Sequence, residues 1–208
     1  SIGYAKVGAT VNRQGRFGGA MISCPFEYHL TDAEIKKLGE LSLTWSHTDH
    51  TIGNSLKAAL DFTDDEAIRL IFPLSLENRV RWLRGIKARL NGGAQMALNE
   101  FVLLLPALQA VKNQVIHGVI IPDVTEGPIF HLRSKDRTFT KDDLFACEEF
   151  TNYCARVAYC LRMSLFWGDG SQTTLPDRPH IPRALGPYIQ RGKKAGRRPP
   201  SRHRSSPP

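Results

Sequence analysis

Lys112, Asn113, Gln114 and His117 stand together at the polar end of an otherwise apolar stretch, Ala94–Gly118, and form the one concentration of groups able to do chemistry in this chain of 208 residues. The stretch follows a Gly92-Gly93 break and carries a nearly unbroken apolar run from Phe101 to Leu108. Such a run, if helical, is buried on most sides. It stops at Gly118, where a helix end favours glycine because the left-handed conformation costs it nothing. On a helix, positions five apart are separated by about 140° around the axis, so Lys112 and His117 lie on different faces, whereas Asn113 and His117, four apart, share one. A structural reading of the cluster stands beside any chemical one: Asn113 and His117 satisfying buried backbone groups at a helix end. Other chemistries find no support. His47 and His50 lie three apart with only Asp49 beside them, too few ligands for a metal site, and no cofactor is implied. No nucleophile elbow or pair of catalytic carboxylates occurs, and Gly15–Gly19 is too loose for a phosphate loop.

The run Lys112-Asn113-Gln114-Val115-Ile116-His117-Gly118 resembles the signature of the HEPN superfamily (higher eukaryotes and prokaryotes nucleotide-binding): Arg, four to six residues, then His, often with Asn after the Arg and Gly after the His. The surrounding pattern is similar over residues 31 to 167, with helices upstream, a short extended insertion and one long closing helix. The resemblance implies metal-independent RNA cleavage in a cleft shared by two chains, with Lys112 as the phosphate-binding cation, Asn113 as an orienting hydrogen-bonder and His117 as general base or acid. Two departures bear on activity. Lysine lacks the planar fork that grips phosphate at two oxygens, and Val119 stands where many toxin-like members carry Tyr. The resemblance therefore implies an RNA-processing or RNA-binding protein of bacterial defence or toxin type, weak or inactive as a ribonuclease. Its implied partners are a second copy of the chain, RNA, and a cognate antitoxin or other protein. The other class left open is a non-catalytic helical-bundle interaction module.

The formal charge of +8 is unevenly placed. Nine Lys or Arg and one acid fall between Ser171 and Pro208, and the rest of the chain holds 19 of each sign. Non-specific polyanion affinity is thus expected in the tail, where Arg191, Lys193, Lys194, Arg197 and Arg198 are the nucleic-acid-binding candidates, unless the tail only solubilises. A second candidate surface is the run Arg79, Arg81, Arg84, Lys87 and Arg89, with Arg79 and Arg84 as its chief phosphate contacts; its alternative is an ordinary solvated helix face. The cysteines, Cys24, Cys147, Cys154 and Cys160, show no CxxC spacing and read as small buried hydrophobes in a reducing cytoplasm. No signal-peptide pattern opens the chain, and no apolar run is expected to span a membrane.

The elements that must position the cluster follow from caps and periodicity. Thr31-Asp32-Ala33-Glu34 is a capping box opening a helix of about 30 residues with a kink near Gly53. Thr63–Glu66 starts a short helix closed by Pro73, and Ser75 caps a third running to Leu90. The fourth is the chemistry-bearing stretch, kinked at Pro106. Residues 118 to 139 alternate and turn as a hairpin flap, and Thr140–Asp143 opens a final helix ending before Gly168. The expected fold is all-α: an up-and-down bundle of four long helices plus one short helix, with a small β-hairpin insertion before the last. Residues 1–30 read as a loose N-terminal arm, 31–168 as the helical domain, and 169–208 as a largely disordered basic tail rich in Pro, Gly and Arg.

Overall fold

At Thr31 the side chain accepts from the Glu34 amide while Glu34 accepts from the Thr31 amide, so two of the free donors of a helix start are satisfied at once. Helix α1 then runs over Asp32–Leu60 and ends on Asp61 in the left-handed conformation. A computed structural model describes residues 30–117, 119–123, 127–131, 139–167 and 174–197, with backbone alone at 117, 119–123, 127–131, 141 and 195–197. The N-terminal arm up to residue 29, residues 118, 124–126 and 132–138 of the expected flap, and residues 168–173 and 198–208 of the expected tail and its approach lie outside the described residues.

The architecture is mostly helical. A second capping box, Thr63 with Glu66, starts α2 (Asp64–Glu66), which continues into a π-turn at Ala67–Ile71. Ser75 caps α3 (Leu76–Gly85), which stops short of the expected Leu90 and passes into a 3-10 turn at Lys87–Arg89. Helix α4 spans Gly92–His117 and contains Pro106. Strands β1 (Val119–Asp123) and β2 (Gly127–His131) pair antiparallel, Ile121 opposite Ile129, as the hairpin expected between the helices. The two-residue β3 (Phe139–Thr140) adds to β2. The expected closing helix is divided: Thr140 caps α5 (Lys141–Phe145), and after a turn at Ala146-Cys147, α6 spans Glu148–Trp167. Gly53 is not a break in α1; its missing Cβ leaves room for Phe72, whose Cε1 would lie 2.8 Å from a side chain there.

Three long helices make the core. Lys37 lies over the ring of Phe145, which ends α5 just before α6 begins, and two turns further on Thr44 donates to Asn152 of α6, so the chain from α5 into α6 runs in the same direction as α1. Asn91 donates to the Ser164 carbonyl while Glu100 accepts from Tyr153, so α4 runs against α6. Phe101, Leu104 and Leu108 of α4 pack with Phe150, Val157 and Leu161 of α6 and Ile52 and Leu56 of α1, all essentially inaccessible. By length and composition, Gly92–Ile116 is apolar enough to cross a membrane, contrary to the sequence expectation, and most of it is buried inside this body.

The tail departs furthest from expectation. Residues 174–197 fold onto α4: Arg178 grips Glu100 with both Nε and Nη2, a 3-10 turn at Arg183–Leu185 follows, and α7 spans Gly186–Arg197. Leu185 and Ile189 are buried, and Gly192 brings the α7 backbone against Leu103. The assignment of residues 169–208 as largely disordered is therefore corrected over 174–197, because a few apolar anchors and one carboxylate clamp hold a segment whose average composition is polar.

Burial governs the thiols and one phenol of this core. Desolvation pushes Cys147 up to about 12 and Cys154 well above its usual value, while the partly covered Cys160 is raised less. Among these three, a disulfide-exchange reagent near neutral pH is expected to label Cys160 first, with Cys147 and Cys154 reacting only on unfolding; equal rates for all three would contradict the packing. Tyr153 is pushed up to about 12, first by burial and then by the Glu100 oxygen that accepts its hydroxyl. The unfolded chain loses this proton first, so the stabilisation is complete below about pH 10 and declines as pH rises toward 12. Tyr153→Phe is expected to flatten that part of the alkaline unfolding curve, leaving the share of the cysteines.

Candidate functional site

The last two turns of α4 carry the predicted cluster, and packing gives Lys112, Asn113 and Gln114 different environments. Val111 is buried against the core, which turns Lys112 toward α1, where its Nζ lies 5.6 Å from the centre of the Trp45 ring. Leu41, Ser42, Trp45, Lys112, Val115 and Thr151 line a narrow depression between α1, α4 and α6 at this level. An ammonium over an indole face is held by the ring's negative quadrupole, so Lys112 is positioned on its own helix's neighbour. Asn113 is exposed. Gln114 points inward, fully covered, with neither its amide nitrogen nor its oxygen partnered among the described residues. His117 is the last residue of α4, and its backbone follows Asn113 by about one turn on the same face. Lys112 and position 117 thus diverge as the helical angle requires, and the chain alone does not bring them together.

The arginine run on α3 separates equally clearly. Arg79 is 4% exposed and donates to the carbonyl oxygens of Ile71, Phe72 and Asp49, with its Nη1 also 3.0 Å from an Asp49 carboxylate oxygen. It closes the junction between α1, the π-turn and α3, and is corrected from a phosphate contact to a structural group. Arg81 pairs with Glu77 one turn away. Arg84 is half-buried, with its own interactions in the fold.

On α7 the candidates are displayed. Arg191, Lys193 and Lys194 are exposed, and the Arg191 guanidinium lies 5.4 Å from the Tyr188 ring centre. Arg197 belongs to the helix end, and Arg198 lies outside the described residues. No group of three metal-ligating side chains occurs among the described residues.

Sequence reasoning missed Trp45 as the seat of Lys112 and missed Tyr153, Glu100 and Arg178 as the clamp on the tail. It also missed the outer face of α6, where Tyr159, Phe166 and Trp167 are exposed. That face was available as the complement of the buried stripe Phe150, Cys154, Val157 and Leu161. No family model, curated protein or solved structure matches the chain.

Proposed function

We propose that the chain is a HEPN-like RNA-binding protein of bacterial defence or toxin type, cytoplasmic and dimeric, in which the helical body is a divergent up-and-down bundle and metal-independent RNA cleavage is weak or lost. The observation that carries the RNA-binding part is the set of exposed cations Arg191, Lys193 and Lys194 on a helix docked to the body, with Arg191 over the ring of Tyr188. Fixed cations of this kind bind phosphate by releasing counterions, with little sequence preference. Weak cleavage follows from Lys112: held over Trp45, it offers a point charge on a different face from position 117, and only a second copy can supply the missing convergence.

The test uses a short single-stranded RNA, with EDTA present, and the full chain. Binding is expected to weaken with salt, and replacing Arg191, Lys193 and Lys194 together by alanine should reduce the slope of log affinity against log salt by about 2, at roughly 0.7 per phosphate contact. An unchanged slope would remove α7 as the footprint. Any cleavage should fall about 10²- to 10⁴-fold in His117→Ala and rise in Lys112→Arg; robust cleavage indifferent to His117 would overturn the assignment.

The second reading, a non-catalytic interaction module that recruits an antitoxin or another protein, is favoured by Leu43, an apolar side chain left 71% exposed on α1, and by the exposed Ile68 and Leu70 of the π-turn. Under that reading the three-alanine variant retains its protein partner and wild type binds no RNA.

A further inference from the structure

The inner face of α6 is fully used: Tyr153, Cys154, Val157, Ala158 and Leu161 are buried against the body. Its outer face carries a different and equally regular set. At 100° per residue, Arg156, Tyr159, Met163, Phe166 and Trp167 fall within an arc of about 100°, with Arg162 some 40° to one side. Arg156 and Arg162 are exposed, as are Tyr159 at 50%, Phe166 at 73% and Trp167 at 62%. A single exposed aromatic is ordinary on a protein surface, whereas three on one strip of one helix leave a continuous apolar surface in water.

We propose that this outer face of α6 is a stacking platform for single-stranded RNA, with Tyr159, Phe166 and Trp167 receiving bases and Arg156 and Arg162 holding the phosphates between them. The proposal rests on the reading of the chain as an RNA binder, but it places the discrimination between single and double strands on a surface separate from α7.

Charge decides the occupant. No Asp or Glu occurs between Phe150 and Trp167. Neither Arg156 nor Arg162 has a carboxylate partner among the described residues. From Arg156 to Trp167 the face is therefore cationic and aromatic, with the half-buried Met163 among the rings and the exposed Glu149 two turns before Arg156; cations between rings are the combination that binds a flexible polyanion with planar side groups. Geometry agrees. Tyr159 and Phe166, seven residues apart, lie about 10 Å apart along the axis, the length of about three stacked nucleotides. Phe166 and Trp167 meet edge to face, 5.2 Å between centres and 78° between planes, so the two rings do not consume each other's faces in a parallel stack.

A duplex hides its bases and cannot use such a platform, while a single strand can. The experiment compares binding of a single-stranded oligouridylate of about 12 nucleotides with binding of an RNA duplex of the same length, following tryptophan emission and anisotropy. Wild-type emission is expected to be quenched by the single strand. Trp167→Phe should abolish most of the quench while retaining affinity, since Trp45 and Trp82 lie elsewhere. The double variant Phe166→Ala, Trp167→Ala should lose about 10- to 100-fold in single-strand affinity with duplex affinity unchanged. Its thermal midpoint should equal that of wild type, because both rings are exposed.

Loss of single-strand and duplex binding together in that variant, or of neither, would overturn the platform. So would a change in self-association without any RNA-induced quench, which would make the face a contact between protein chains. If the platform fails while the α7 alanine variant still loses its salt slope, the RNA-binding reading stands alone. If wild type binds neither RNA, both fall.

Discussion

Arg79→Ala is expected to cost about 3 to 5 kcal/mol, the range found when one partner of a buried, hydrogen-bonded ion pair is removed. The loss has several parts. Three carbonyl oxygens, of Ile71, Phe72 and Asp49, lose their donor, and the Asp49 carboxylate loses its partner. The guanidinium also lies over the Phe72 ring, so a packing contact disappears as well. Arg79→Lys should recover only part of the loss, because one ammonium cannot reach acceptors set around a planar fork. For a chain of this size the alanine variant should unfold roughly 6 to 20 °C earlier by calorimetry. A midpoint within about 2 °C of wild type would show that the junction does not depend on this side chain and would return Arg79 to the list of groups free to meet phosphate.

Gly192→Ala is the second large effect, and its sign is the informative part. Inside an unpacked helix this change stabilises by up to about 1 kcal/mol, because glycine is the poorer helix former. In α7 the added Cβ would lie 2.0 Å from the Leu103 carbonyl oxygen and 2.8 Å from its carbon, a collision with backbone that no side-chain rotation relieves. Overpacking of this kind costs about 1 to 3 kcal/mol, so the variant should be less stable than wild type, and Gly192→Val less stable again. Limited proteolysis should then cut between Thr174 and Arg197, where wild type resists. A Gly192→Ala variant no less stable than wild type, with both proteins cut readily between Thr174 and Arg197, would mean that α7 does not sit on α4, and that the segment belongs to a loose tail after all.

What could be read from the sequence was what is decided locally. Each capping pair, Thr31 with Glu34, Thr63 with Glu66 and Thr140 with Asp143, lies within one helical turn, and all three start helices in the structure. The hairpin between α4 and α5 was legible for the same reason, since Pro and Gly punctuate its strands. Arg79 was not legible, because a row of cations along a helix looks solvated until Asp49, 30 residues away, and the turn at Ile71 and Phe72 are brought around it. Lys112 and His117 could be placed on different faces from helical angles alone. The partner that holds Lys112, Trp45, comes from another helix, and spacing within one helix says nothing of it. The docking of residues 174–197 was hidden by averaging: Leu185 and Ile189 suffice to seat α7, but they are diluted by the Pro, Arg and Ser that follow.

The shared direction of α1 and α6 sets an order on the making of the molecule. Thr44 and Asn152 meet across 108 residues, so no local segment of chain can complete this packing. A ribosome adding about 5 to 20 residues per second needs roughly 5 to 20 s to bring α6 within reach of α1. For that interval the side of α1 that will receive α6 stays uncovered on the nascent chain, at a stage when contacts with neighbouring chains or chaperones compete with the correct one. Closure then comes late and from the C-terminal side, with α6 inserted between partners made long before it.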